Sequence, residues 1–100
     1  MASKHTPVHP GEILEAEFLE PLGITKYRLA KETAMPADRV GKIVQGSRGI
    51  SGDTALRLAR FFGTTPAFWM NLQARYDLEM AADQSGRDIE RSVKPWRNAS

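Results

Sequence analysis

Residues 25–46 read TKYRLAKETAMPADRVGKIVQG, and the run divides into two short helices joined by a tight turn. Thr25 offers a hydroxyl to an orphan backbone N–H, while Ile24 before it and Leu29 beyond it form a hydrophobic staple, so a helix begins here and runs to about Thr33. Pro36 restarts the chain as a first-turn residue. Val40, Ile43 and Val44 then give the next helix one apolar edge before Gly46 ends it. Ala30 is small where two helices would cross, Met35 is apolar in the turn, and Val40 and Ile43 lie under the second helix. The polar positions fall on the remaining side.

This is the plan of a helix-turn-helix, whose second helix lies in the major groove of a duplex. Its first turn and outward positions, Ala37, Asp38, Arg39 and Lys42, would approach base edges. There Arg39 can fork onto guanine, Ala37 can touch a thymine methyl, Asp38 can accept from cytosine N4, and Lys42 can reach a base or a phosphate. Lys26, Tyr27, Gln45, Ser47 and Arg48 flank that helix and, with helix N-terminal N–H groups, would fix register on phosphates. Charge placement agrees. The 100 residues carry a net charge of only +2, from 14 Lys plus Arg against 12 Asp plus Glu. Yet residues 1–24 hold Lys4 against Glu12, Glu15, Glu17 and Glu20, whereas residues 25–48 hold Lys26, Arg28, Lys31, Arg39, Lys42 and Arg48 against Glu32 and Asp38. A basic sector on a neutral body suits a polyanion, although a solvated face with chance clustering gives the same distribution.

Further helices surround this pair. His9-Pro10-Gly11-Glu12 opens the first, with Pro near the first helical position and acids in the opening turn. Ile13, Leu14, Phe18 and Leu22 form its expected buried face, and Pro21 and Gly23 close it. The glycine-rich stretch at 45–52 neither follows a strand nor ends in Gly-Lys-Ser/Thr, so it is a C-cap followed by turns and not a phosphate loop. Ser51 caps a fourth helix with Ala55, Leu56, Ala59 and Phe62 expected inward, and Gly63 terminates it. Thr65-Pro66 starts a fifth, which reads to Ala82 without an internal Gly or Pro.

On that fifth helix Trp69, Tyr76 and Met80 fall within about 20° of one line, flanked by Phe68 and Leu72, and this line should face the core. Ala67, Met70, Ala74, Leu78 and Ala81 occupy a second sector, with Gln73 and Asp77 between the two. The second sector either packs within the chain or serves as a contact with another copy. Met70, Ala74, Leu78 and Ala81 are therefore the expected homodimer interface. After Ala82 periodicity fades and both charge signs mix. The expected organisation is an N-terminal arm at 1–8, a compact all-α five-helix domain at 9–82 and a polar tail at 83–100, with Ile89, Val93 and Trp96 available as anchors.

Several chemistries are excluded or disfavoured. The chain has no cysteine, which removes disulfides and thiolate ligands. No apolar run of about 18 residues or signal-like stretch is present, so a cytoplasmic protein without membrane association is expected. The glutamates of the first helix read as its wet face. His5 and His9 have a metal-like spacing but no convincing third ligand, and Ser47 and Ser51 have no placed base. The expectation is no catalysis, no metal and no cofactor.

Residues 8–82 resemble the HigA antitoxins, the VapI-like branch of the XRE (Cro/C1-type) family, whose domain is lambda-repressor-like. The resemblance rests on HPGEILEAEFLEPLGI at 9–24, YRLAKET at 27–33 and GSRGISGDTALRLARFFGTTPAFWMNLQARYDLE at 46–79. It implies a homodimer that binds operator DNA, represses its own operon and neutralises a RelE-like (HigB-type) mRNA interferase toxin by direct binding.

Two positions depart from the expected pattern. Ala34 stands where many relatives have Gly in the turn, so a positive φ there would be less comfortable. Gly41 lies inside the recognition helix at a cost of about 1 kcal/mol against Ala. Either the backbone approaches DNA closely there, or that helix is marginal until bound. Two other functions fit the same residues: a toxin-binding module that no longer reads DNA, and a solitary repressor with no toxin partner.

Overall fold

The computed structural model describes residues 6–97, which form five helices and no strand. His5, one of the two histidines with metal-like spacing, lies outside the described residues. The first helix, α1, covers residues 10–22 in three continuous segments: α-helical Pro10–Ile13, π-helical Leu14–Leu19 and α-helical Glu20–Leu22. The others are α2 (Lys26–Thr33), α3 (Ala37–Gln45), α4 (Gly52–Phe62) and α5 (Pro66–Ser92).

Their boundaries follow local chemistry. Thr25, Ser51 and Thr65 accept backbone N–H bonds from Arg28, Thr54 and Phe68, capping α2, α4 and α5. Gly23, Gly46 and Gly63 take left-handed conformations at the ends of α1, α3 and α4. The π segment makes room for Pro21, whose ring would otherwise meet the carbonyl of Glu17 in an α-helix. It also shifts the phase of the buried face. Leu14 and Leu19, five residues apart, are buried, while Leu22, expected inside, is 59% exposed. A similar correction applies in α4, where Ala55, Leu58 and Ala59 turn inward and Leu56, about 100° around from Ala55, faces water.

The core closes around Trp69, which is fully buried. Its indole lies 5.0 Å from the rings of both Phe18 and Phe68, and its Nε1 donates to Thr64 Oγ1 at 2.8 Å. Leu14, Leu29, Val40, Ile43 and Leu58 complete this cluster, so every helix contributes to one core. The start of α1 is pressed against α3: a Cβ on Gly11 would sit 1.8 Å from the carbonyl oxygen of Ile43. His9 caps α1 by accepting the Gly11 N–H on Nδ1 at 2.9 Å and meets Tyr76 of α5 edge to face, with centroids 4.8 Å apart.

The fifth helix is longer than its periodicity suggests. It passes Ala82 and Gly86 and ends at Ser92, because one glycine costs too little to stop a helix and an Asp88–Arg91 ion pair bridges its last turns. Residues 83–92 of the expected tail are thus helical, and nearly all are exposed. The molecule is accordingly drawn out to 58 Å along its longest axis. No helix among the described residues is long and apolar enough to cross a membrane.

Candidate nucleic-acid interface

Helix α3 stands on an apolar foot and shows a polar back. Val40 and Ile43 are buried, whereas Ala37, Asp38, Lys42 and Gln45 are exposed along its other side. Ser47 and Arg48 follow on the exposed turn, and Lys26 and Tyr27 are exposed at the start of α2. The nine candidate residues therefore flank one helix-turn-helix unit, and eight of them are exposed. Pro36 makes no side-chain capping bond to α3, so first-turn N–H groups are left for an outside acceptor.

Arg39 is the exception. Its side chain is 21% exposed, and Nη1 donates to Asp53 Oδ2 at 2.7 Å. Asp53 also accepts from Arg57 Nε at 2.8 Å, and Arg57 Nη1 in turn donates to the carbonyls of Thr33 and Ala34 at 3.0 and 3.2 Å. These two guanidinium groups, Arg57 first and Arg39 second, hold the Asp53 carboxyl below its ordinary pKa. The guanidinium expected to fork onto guanine is thus bound to α4. The reason is tertiary: the first turn of α4 brings an acid beside α3 from 14 residues away.

The turn itself is left-handed at Ala34, with φ 57° and ψ 40°, the only non-glycine positive φ among the described residues. At the far end of α3 a Schellman arrangement closes the helix: Gly46 N–H donates to Ile43 O, and Ser47 N–H to Lys42 O, each at 3.0 Å. Gln73 of α5 then accepts the Ile50 N–H at 2.6 Å and pins the following loop. Sequence reasoning missed Arg57 and Gln73 as supports, although the four-residue spacing of Asp53 and Arg57 was a visible sign of the first. Lys42 pairs with Asp38 at 3.2 Å, both largely exposed, whereas Lys26, Lys31 and Arg48 form no ion pair among the described residues.

Residues 16–69 match the helix-turn-helix family model. The chain is 49% identical over 74 residues to virulence-associated protein I of Dichelobacter nodosus, an alignment covering 74% of this chain and 68% of that protein. The chain belongs to the XRE-type helix-turn-helix family, in its HigA and VapI-like branch. A HigA-family addiction-module antidote protein from Coxiella burnetii superposes with a TM-score of 0.88 at 51% identity, covering 92% of this chain and 100% of that one. Antitoxin HigA of Pseudomonas aeruginosa, solved with the higBA promoter, superposes with a TM-score of 0.89 at 45% identity, covering 91% and 99%. Such proteins are antitoxins and transcriptional regulators, not enzymes. The similarity reaches beyond the helix-turn-helix model into α5, as the run at 46–79 suggested.

Proposed function

We propose that this HigA-type chain is the antitoxin of a HigBA-like type II module: it binds an operator through α3, represses its own operon and neutralises a RelE-like mRNA interferase by direct contact. The observation that carries the DNA half is the two-sidedness of α3, buried at Val40 and Ile43 and exposed at Ala37, Asp38, Lys42 and Gln45. In this reading Ala37, Asp38 and Lys42 face base edges, and Lys26, Tyr27, Gln45, Ser47 and Arg48 hold phosphates. Arg39 sets the angle of α3 through Asp53. One short helix reads few bases, so a homodimer placing two such helices about 34 Å apart on a palindromic site supplies specificity. Met70, Ala74, Leu78 and Ala81, all exposed, form its interface. Toxin neutralisation is supported by the HigA kinship and operates with the chain as a protein-binding partner.

A footprint on the promoter of the chain's own operon tests the DNA reading. Lys42→Ala should lose the footprint, or lower the salt slope of binding by about one, with the helical spectrum unchanged. Unaltered affinity at fixed salt would remove α3 from the interface. The pairing of Arg39 and Lys42 with acids of this chain favours a second reading, a toxin-binding module without operator recognition. That reading stands if a small basic toxin encoded alongside co-purifies while no specific duplex outcompetes random DNA.

A further inference from the structure

The turn that leaves α3 is the least self-supporting part of the candidate interface. Gly46, Ser47, Arg48 and Gly49 place two glycines in four residues, and Ser47 and Arg48 are exposed. Such a backbone samples many conformations unless something outside the turn fixes it. On the α3 side the Lys42 carbonyl accepts both the Ser47 N–H at 3.0 Å and the Ser47 hydroxyl at 3.3 Å. Beyond Arg48 the support comes from 23 residues away. Gln73 of α5 accepts the Ile50 N–H on Oε1 at 2.6 Å, and its Nε2 donates to Asp77 Oδ1 at 2.9 Å, one helical turn further on. Gly49 leaves room for this amide: a Cβ there would lie 2.8–2.9 Å from the Gln73 amide atoms. The φ of Gly49 is not positive, so it is the neighbouring amide and not the backbone that calls for glycine.

Asp77 decides which way that amide points. A carboxamide carries an acceptor at one end and donors at the other, whereas a carboxylate only accepts. Flipped, Gln73 would turn its oxygen toward the Asp77 carboxylate and its NH2 toward the Ile50 N–H, two repulsive contacts in place of two bonds. We infer that Gln73 is a positioning residue for DNA binding: oriented by Asp77 and admitted by Gly49, its amide holds the turn after α3 so that Ser47 and Arg48 stand ready for phosphate. This role rests on the operator reading proposed above. Arg48 forms no ion pair among the described residues, so its guanidinium has no competing partner to leave. With the backbone beneath it already fixed, a phosphate contact costs less ordering when the duplex arrives. The helix-turn-helix is thereby braced from α5, outside the two helices that define it.

A swap of donor and acceptor tests it. Gln73→Glu keeps an oxygen for Ile50 but sets a second carboxylate against Asp77, whereas Gln73→Glu with Asp77→Asn restores both bonds at the wild-type net charge. At about pH 8, where both carboxylates are charged, hydrogen exchange at the Ile50 amide should quicken in the single variant and return to the wild-type rate in the double. Affinity for the promoter of the chain's own operon should fall about fivefold per bound chain in the single variant and recover in the double. Gly49→Ala displaces the amide without changing charge and should match that loss with its helical spectrum unchanged. In a Ser47→Ala, Arg48→Ala background it should cost nothing further, because the contacts it positions are gone; a general weakening of the fold would still add its full cost there. Unchanged Ile50 exchange in Gln73→Glu, a double variant that stays at the affinity of the single, or a Gly49→Ala loss that persists in full without Ser47 and Arg48 would each overturn the role. The exchange rates need no DNA, so the two readings fail differently: a wild-type chain with no preference for its promoter over random duplex ends the operator reading and the role with it, even where Ile50 exchange follows the swap.

Discussion

Arg39 Nη1, on the helix read as groove-facing, lies 2.7 Å from Asp53 Oδ2, on the next helix. The contact ties the orientation of α3 to α4, and through Asp53 and Arg57 to the carbonyls of the turn at Thr33 and Ala34. With α3 in a groove as proposed, the same contact would keep a cation beside the duplex from binding phosphate indiscriminately. Asp53→Ala should therefore leave the helical content intact, strengthen binding to random duplex with a salt slope steeper by about one, and narrow the preference for operator over random DNA. Competition titrations at two salt concentrations measure all three. An unchanged operator preference would make the Arg39–Asp53 pair irrelevant to recognition.

Gly41 separates two explanations that the sequence leaves open. A Cβ at this position would have no neighbour within 4 Å inside the chain, and its φ is not positive, so nothing in the fold demands glycine. Gly41→Ala should raise stability by about 1 kcal/mol in urea unfolding. If the α3 backbone approaches DNA closely, the same variant loses operator affinity. If the helix is merely marginal before binding, affinity stays equal or improves.

What could be read in advance was local. Caps at Thr25, Ser51 and Thr65 and stops at Gly23, Gly46 and Gly63 depend on residues within a turn of themselves, and all six appear as expected. The polar back of α3 was legible for the same reason. Leu22 was misplaced because the π turn, built around Pro21, changes the helical period for one stretch only. Leu56 was misplaced because an apolar residue at the edge of a stripe does not reveal whether a neighbour covers it. The pairing of Arg39 with Asp53 was not legible because the two are 14 residues apart and come near only when α4 docks. The end of α5 at Ser92 was missed because low periodicity signals lack of a packed face, not lack of a helix.

Ala34 occupies a left-handed conformation that glycine adopts without strain. An alanine there costs about 1–2 kcal/mol, while glycine gives back about 0.4–1 kcal/mol through the freedom of its unfolded chain. Ala34→Gly should consequently stabilise the fold by up to about 1 kcal/mol, seen as a higher urea midpoint with an unchanged slope. A lower midpoint would mean that the Arg57 bonds to the turn depend on the alanine backbone more than on its conformation.

Gly11 is a contact residue in spite of having no side chain. A methyl group would overlap the Ile43 backbone, which cannot yield as a flexible side chain does. Gly11→Ala should cost about 1–3 kcal/mol by pushing α1 off the last turn of α3. Operator affinity should fall with it, because the displaced turn carries Gln45 and leads into Ser47 and Arg48. Denaturant unfolding and the footprint, compared in one preparation, check the coupling.

His9 ties stability to pH in the range where imidazoles titrate. Burial lowers its pKa below the ordinary 6.5, and the attractions of Glu12 and Asp77, which act the other way, do not restore it. Nδ1 is also occupied in accepting the Gly11 N–H, a bond that requires that nitrogen to be unprotonated. The unfolded chain therefore takes up the proton more readily than the folded one. Stability from this group is complete above pH 6.5 and declines as pH falls from there to the lowered pKa of the folded imidazole, below which it stops changing. His9→Asn keeps an acceptor at the cap and removes the titration, at a constant cost from the lost contact with Tyr76. Urea midpoints between about pH 8 and about pH 5 should slope downward for the wild-type chain and run flatter for the variant. Parallel profiles would mean that some other group carries the pH dependence.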